Sequence, residues 1–316
     1  PKLPNLYDEP FADSSQIPTH FVSMSAKQDV TVSLSGDAGD ELFGGYNRYL
    51  WAPALWNKIK WMPFFGRKAI GNSLSILPIS SWDQLGKIYN QFNRGVSSIA
   101  HLGDKVHKTA RRLKTVYSID DLYKNLVSEW PHPEKLVIES SVKSSDHLIK
   151  ILDEALPLKG MQNPESRMMY WDVMTYMTDD ILCKVDRAAM GVSLETRVPF
   201  LDHRVAEIAW QIPLEMKINN GQGKCPLREI LYKRVPKALI ERPKAGFGIP
   251  IGDWLRGPMR EWVESLIDTD RLIREGYLEP MLVQRIWMEH LEGKRNWSFR
   301  LWSILMFQSW LEQHHN

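Results

Sequence analysis

Cysteine is nearly absent. Cys183 and Cys225 are the only two in 316 residues and lie far apart. That excludes a disulfide scaffold and a cysteine-built zinc site, and it suits a reducing compartment, the cytoplasm. Neither cysteine has neighbours that mark a nucleophile, so both are expected to be buried as small hydrophobes. A long apolar run is missing as well. The nearest to one, Trp297 to Leu311, is interrupted by Arg300, Ser303, Gln308 and Ser309. A bilayer span needs roughly 20 apolar residues, so this stretch is expected to be a buried helix. Charge of one sign is not in excess: 40 basic and 38 acidic side chains leave a net +2, which gives no electrostatic basis for binding nucleic acid or a membrane surface. Basic pairs such as Arg111-Arg112 and Lys233-Arg234 read as solvated faces. There is no internal repeat, no low-complexity segment and no clear linker, Pro157 to Pro164 being the weak candidate.

What is present is 43% hydrophobic residues, enough for a sizeable core in one large domain or two modest ones. The first twenty residues, with Pro4, Pro10 and Pro18, are partly irregular, and Ile17 to Ala26 suits a helix. A short apolar run, Val30 to Leu34, then leads into Ser35-Gly36-Asp37-Ala38-Gly39-Asp40-Glu41-Leu42-Phe43-Gly44-Gly45-Tyr46. This pattern is a strand entering an acidic, glycine-rich turn and then a helix. Ligands of open parallel sheets sit at the carboxyl ends of strands. Asp37, Asp40 and Glu41 would stand there, and carboxylates this close repel unless a metal ion or a cation neutralises them. Gly36 and Gly39 would let the backbone turn tightly. The alternative is an acidic turn that caps the next helix.

From Glu41 onward the periodicity is helical. Gly71 to Ser81 reads as a turn ending in an N-cap at Ser80-Ser81. Ser118-x-x-Asp121 is a capping box, and Pro131 and Pro133 end its helix. Arg167 to Met177 is apolar on most faces and belongs in the core. Asp179 and Asp180 are expected to open a new helix carrying Lys184, Asp186 and Arg187. Two-residue spacing points Lys184 and Asp186 apart, so these charges need separate partners in a network or a ligand. Glu195, Arg197 and Asp202 surround Val198-Pro199-Phe200-Leu201 and are expected to pair with Arg187 or Lys184. His203 reads as structural. Gly221 to Lys224 is a turn, Leu227 to Arg234 a helix. The stretch from Pro243 to Gly252 is a loop holding Lys244, followed by helices from Pro258, Glu279 and Ser298.

Three stretches in order, Ser35 to Tyr46, Asp179 to His203 and Arg242-Pro243-Lys244-Ala245-Gly246-Phe247-Gly248, resemble the synthetase domain of glutamine-dependent asparagine synthetases. The resemblance runs from Asp8-Glu9-Pro10-Phe11-Ala12-Asp13-Ser14-Ser15 to Arg295-Asn296-Trp297. It implies a mostly α fold with a small remnant of parallel β-sheet: a truncated α/β domain of the ATP pyrophosphatase type, residues 1–50 carrying the sheet remnant and 51–316 the helical region with the lysine loop at 242–252. It further implies a ligase that adenylates the aspartate side chain with ATP and Mg2+ and then admits ammonia derived from glutamine. By resemblance, Ser35 and Gly36 contact the nucleotide, Asp37 helps form the adenylate, Asp37 and Asp40 are the Mg2+ candidates, and Asp40 and Glu41 supply site electrostatics. Lys244 stabilises the departing phosphates, and Lys184, Asp186, Arg187, Glu195, Arg197 and Asp202 form a substrate or structural network. Asp37 stands where many members have glutamate, one methylene longer. The Ser-Gly-Gly-x-Asp-Ser pyrophosphate loop and the glutaminase domain of these enzymes have no counterpart in these residues. The chain is therefore expected to be a piece of a longer protein, inactive alone, and a homodimer is the candidate assembly. A related amidotransferase or a β-lactam-type synthetase acting on another carboxylate is the alternative enzyme. A non-catalytic helical module is the remaining alternative.

Overall fold

The run before the acidic turn forms β1, Val32–Leu34, and its partner β2, Glu195–Arg197, comes from far along the chain. The two are parallel, with Val32 opposite Glu195, Ser33 opposite Thr196 and Leu34 opposite Arg197. Most of the other described residues are helical, as expected of a mostly α chain with a small parallel sheet. The computed structural model describes residues 3–92, 102–138, 160–241 and 248–314. Among the described residues no helix is long and apolar enough to cross a membrane.

Three apolar clusters organise the helices. The largest joins Leu255, Val263, Leu266, Trp287, Leu301 and Trp302 at the C-terminal end of the chain. The Ser298–His314 helix runs through it. Even its polar Gln308 is buried there, donating from Nε2 to the Leu266 carbonyl (3.1 Å) and to Glu275 (2.6 Å), as a buried amide must. A second cluster gathers Tyr49, Leu122, Tyr123, Met168, Met169 and Trp171. A third, made of Ala38, Leu42, Phe43, Met177 and Ala209 with Phe200 beside it, lies directly beneath the acidic turn. Burying the turn's own apolar residues fixes the carboxylates that alternate with them.

The capping box forms as the pattern requires. Ser118 Oγ accepts from the Asp121 amide (3.1 Å), and the Asp121 carboxylate accepts from the Ser118 amide (2.9 Å). Other expectations change. Gly71 lies inside a helix, Phe64–Ile76, and the next helix begins at Ile79, so neither the turn nor the Ser80-Ser81 cap forms. The reason is packing: a Cβ on Gly71 would meet the Ala110 carbonyl at 2.7 Å, so the glycine lets this helix lie close against Leu102–Thr115. Asp179 and Asp180 do not open a helix. The Pro164–Asp172 helix continues through a π-helical stretch, Val173–Leu182, into Cys183–Met190 without a break. Gly252 falls within the short helix Ile251–Arg256 rather than a loop. Both cysteines are half-buried and free.

Candidate active site

At the carboxyl end of β1 the ladder extends by one bond, from the Ser35 amide to the Arg197 carbonyl (2.8 Å). Ser35 then folds back on Asp37: its hydroxyl donates to Asp37 Oδ2 and accepts from the Asp37 amide (3.2 Å). Serine and aspartate two apart form such local turns readily. The sharp change of direction falls on Ala38, whose φ is 65°. It does not fall on Gly36 or Gly39, neither of which has a positive φ. Holding a non-glycine residue there is strained, and the tight burial of Ala38 at 1% exposure maintains it. A five-residue helix, Gly39–Phe43, follows and stops at Gly44, whose φ of 71° ends it.

The three carboxylates part company rather than converge. Asp40 pairs with Lys224 (2.8 Å), a residue held in the left-handed region at φ 59° with its amide donating to the Phe43 carbonyl (3.0 Å). Glycines make this approach possible. A Cβ on Gly45 would overlap both the Asp40 carboxylate and the Lys224 stem, and one on Gly223 would overlap the Gly44 carbonyl. Glu41 turns inward. It is 1% exposed and accepts from the Tyr46 hydroxyl (2.6 Å). Burial pushes its carboxyl above the usual range, partly offset by that hydrogen bond. Neither Asp40 nor Glu41 caps the helix, since the residue at the N-cap is Ala38 without a side-chain cap. Asp37, half-buried, is hydrogen-bonded to Ser35 and forms no ion pair among the described residues.

Behind Tyr46 lies a polar core. The Arg48 guanidinium stacks 4.0 Å over the Tyr46 ring and is 5.0 Å from that of Tyr176. It binds the fully buried Asp172 through Nη2 (2.8 Å) and Nε (3.0 Å). Asp172 also accepts from the hydroxyls of Tyr49 and Tyr123, the latter at 2.7 Å. Burial raises the Asp172 carboxyl even so, with Arg48 opposing.

The second charged stretch resolves into separate pairs. Lys184 reaches Asp13 (2.7 Å), which Ser15 also holds through its hydroxyl (2.6 Å) and amide (2.9 Å). Arg187 reaches Asp8 (2.6 Å), and Asp186 is exposed. Glu195, Arg197 and Asp202 do not pair with Arg187 or Lys184. Arg197 bonds Glu195 (2.7 Å) two residues away along β2. Asp202 caps the His203–Gln211 helix, accepting from the Arg204 amide (2.9 Å) and side chain (2.7 Å), which holds its carboxyl well below the usual range. His203 is 81% exposed.

The π-helical stretch brings in a residue that pattern reading misassigned. Asp180 faces Asp13 and Lys184, and its carboxyl is pushed up to about 7 by burial and by the Asp13 charge, with Lys184 opposing. Asp13 stays below the usual range despite its own burial, because Lys184 and Ser15 hold it charged. Asp180 and Tyr176 line a cavity of about 510 Å3 with Lys124, Asn125, Val127 and His132 opposite. Tyr176 also packs edge-on against Tyr46 (5.8 Å), so this cavity adjoins the back of the acidic turn. Among the described residues, no group of three or more His, Cys, Asp or Glu side chains is placed to hold a metal ion.

The pattern of one protein family, asparagine synthase, matches residues 1–312. The chain belongs to the asparagine synthase family. It is 31% identical over 315 residues to the glutamine-hydrolysing asparagine synthetase 1 of Bacillus subtilis, covering 98% of this chain and 45% of that protein. It is likewise 31% identical over 312 residues to a putative glutamine-hydrolysing asparagine synthetase of Mycobacterium tuberculosis, covering 98% of the chain and 43% of the relative. The human glutamine-hydrolysing asparagine synthetase matches more narrowly, at 31% over 143 residues. The chain thus spans less than half the length of the bacterial relatives that it matches. Within this asparagine synthase chain, Lys244 and its neighbours Arg242 to Phe247 lie outside the described residues. Tyr46 and Asp180 fall inside the resembling stretches without an assigned role, and Lys224 falls outside them. Lys224 reads only as the last residue of a turn, Tyr46 as a helix position, and Asp180 as a helix start. The one available signal was the need for a cation near three carboxylates.

Proposed function

We propose that the protein carrying this chain forms a carboxamide from the aspartate side chain at the end of β1. The aspartate carboxylate attacks the α-phosphorus of ATP, pyrophosphate leaves, and ammonia released from glutamine then attacks the acyl carbon and expels AMP. The reading rests on family membership together with one observation: Asp37, a carboxylate without an ion pair among the described residues, stands at the carboxyl end of a parallel strand beside Ser35 and Gly36. A Cβ on Gly36 would meet nothing within 4 Å, so the backbone there is open to a ligand such as the nucleotide. In this reading the domain is of the ATP pyrophosphatase type.

Of the two Mg2+ candidates, Asp37 suits the role better, because the charge of Asp40 is already matched by Lys224. Mg2+ is commonly held by one or two carboxylates plus substrate phosphates, so Asp37 with a triphosphate is a sufficient donor set. There it would neutralise phosphate charge. Asp40 and Lys224 are assigned to shaping the turn, and buried Glu41 to fixing Tyr46 and the wall behind it. Lys244 is assigned to the phosphates as a point charge. Lys184, Asp186, Arg187, Glu195, Arg197 and Asp202 are assigned to holding the helix and β2 in place rather than to substrate contact, which the pairing of Lys184 with Asp13, Arg187 with Asp8, Arg197 with Glu195 and Asp202 with Arg204 supports.

The test is pyrophosphate release by the full-length protein with ATP, Mg2+, glutamine and a panel of carboxylic acids. Aspartate is expected to give the strongest signal, and Asp37→Ala to lower it by roughly a hundredfold or more, the scale of losing a transition-state electrostatic contact. Release with another acid only would overturn the substrate. No release with any acid from folded protein would overturn the chemistry.

A further inference from the structure

A second cavity, about 370 Å3, lies on the other side of Pro131 and His132, which line both cavities. Its lining contains five cations, Arg111, Lys135, Arg285, Arg295 and Arg300, against a single carboxylate, Glu289. That ratio contrasts with the near balance of the whole chain. Glu289 is already engaged, accepting from Trp297 Nε1 (2.7 Å) and lying 4.0 Å from Arg295. Arg111, Lys135 and Arg285 have no ion-pair partner among the described residues. Arg111, which pattern reading gave to a solvated face, is half-buried here.

The walls are built and anchored. Arg300 lies between two indoles, 5.0 Å from the Trp130 ring and 4.7 Å from the Trp297 ring. Its Nε donates to the Glu129 carbonyl (2.9 Å), and its side chain is only 14% exposed. Trp130 is fixed in turn by Ser303 (2.9 Å), and Arg295 stacks at 5.4 Å on Trp297. Burial lowers the affinity of Arg300 for its proton; the Glu129 carboxylate, 3.5 Å away, opposes this, and Arg111 and Arg295 add smaller repulsions. Like charges gathered in a partly dry concavity raise one another's energy, and an anion placed among them relieves it. Arginine forks in particular match the oxygens of phosphate and carboxylate.

We propose that this cavity binds a small, multiply charged oxyanion, distinct from the ligands of the acidic turn. The concave shape and the volume, at the low end for small-molecule sites, favour a compact ligand over an extended polymer. A phosphate-bearing compound and a polycarboxylate share this chemistry.

Hydrogen exchange on the full-length protein, with inorganic pyrophosphate in one arm and citrate in the other, tests the site and tells the two sources apart. Slowed exchange is expected across 129–136 and 285–301 with at least one of them. Lys135→Glu with Arg285→Glu, two exposed positions, is expected to raise the concentration for half-maximal protection by about tenfold or more. The double variant is expected to leave aspartate-dependent pyrophosphate release unchanged, while Asp37→Ala is expected to leave the protection intact. No protection with either probe, or protection that persists undiminished in the double variant, would overturn the proposal and leave the reading of the acidic turn untouched.

Discussion

Replacing Asp180 by asparagine is expected to stabilise the protein in a manner that depends on pH. A carboxyl raised from 3.8 to about 7 is harder to ionise in the native state by about 4 kcal/mol, at roughly 1.4 kcal/mol per pH unit. Between these two values the native state keeps a proton that the unfolded chain has lost. Native stability therefore falls as pH rises through this window, and the loss is complete above about 7. Asparagine carries no charge and still offers an N–H to Asp13, so Asp180→Asn escapes the loss. Its advantage over wild type is expected to be small near pH 4 and to grow to about 1–4 kcal/mol by pH 8, the lower figure allowing for solvent reaching a half-buried group. Native-state hydrogen exchange in the Cys183–Met190 helix measures the local opening free energy of both proteins across that range. If the two proteins follow parallel pH profiles, Asp180 is not protonated in the native state, and the coupling to Asp13 and Lys184 is refuted.

Gly223→Ala is expected to cost about 2 kcal/mol or more, as overpacking against backbone does, because its Cβ would overlap the Gly44 carbonyl. Gly45→Ala is expected to cost less in urea denaturation, since it meets the movable ends of Asp40 and Lys224. Tyr123→Phe removes a hydroxyl that donates at 2.7 Å to buried Asp172 and is expected to lower stability by about 1.5–3 kcal/mol, with no change in the pyrophosphate assay beyond that due to unfolding. Residues 1–316 expressed alone are expected to release no pyrophosphate with ATP and aspartate, and a signal from them would sink that expectation.

What could be read in advance was what local chemistry determines. The Ser118–Asp121 box, the strand before Ser35 and the Ser298–His314 helix each follow from neighbours in sequence, and each forms. Gly71 misled because a glycine that ends a helix and one that lets two helices touch look alike in sequence; only the position of Ala110 separates them. The Asp40–Lys224 pair was hidden for a similar reason. Its existence depends on Lys224 adopting a left-handed backbone and on two glycines, Gly45 and Gly223, removing Cβ atoms from two different loops. Acidic residues favour helix N-termini, which makes Asp180 read as a helix start, yet the helix runs on through it and the side chain faces Asp13. The cationic cavity escaped because net composition averages over a surface, and clustering is a tertiary property.

The parallel pair β1 and β2 also bears on when the site comes into being during folding. Each helix closes its hydrogen bonds among near neighbours and is able to form early, whereas Ser35 is positioned only after Val32–Leu34 has met Glu195–Arg197 across most of the intervening chain. Contacts of such long sequence separation carry a large closure entropy and form slowly. The acidic turn should therefore be among the last features to assemble. Chains stalled before that step would show near-native helical circular dichroism with no ligand response, so helix content is a poor measure of how much protein in a preparation is competent.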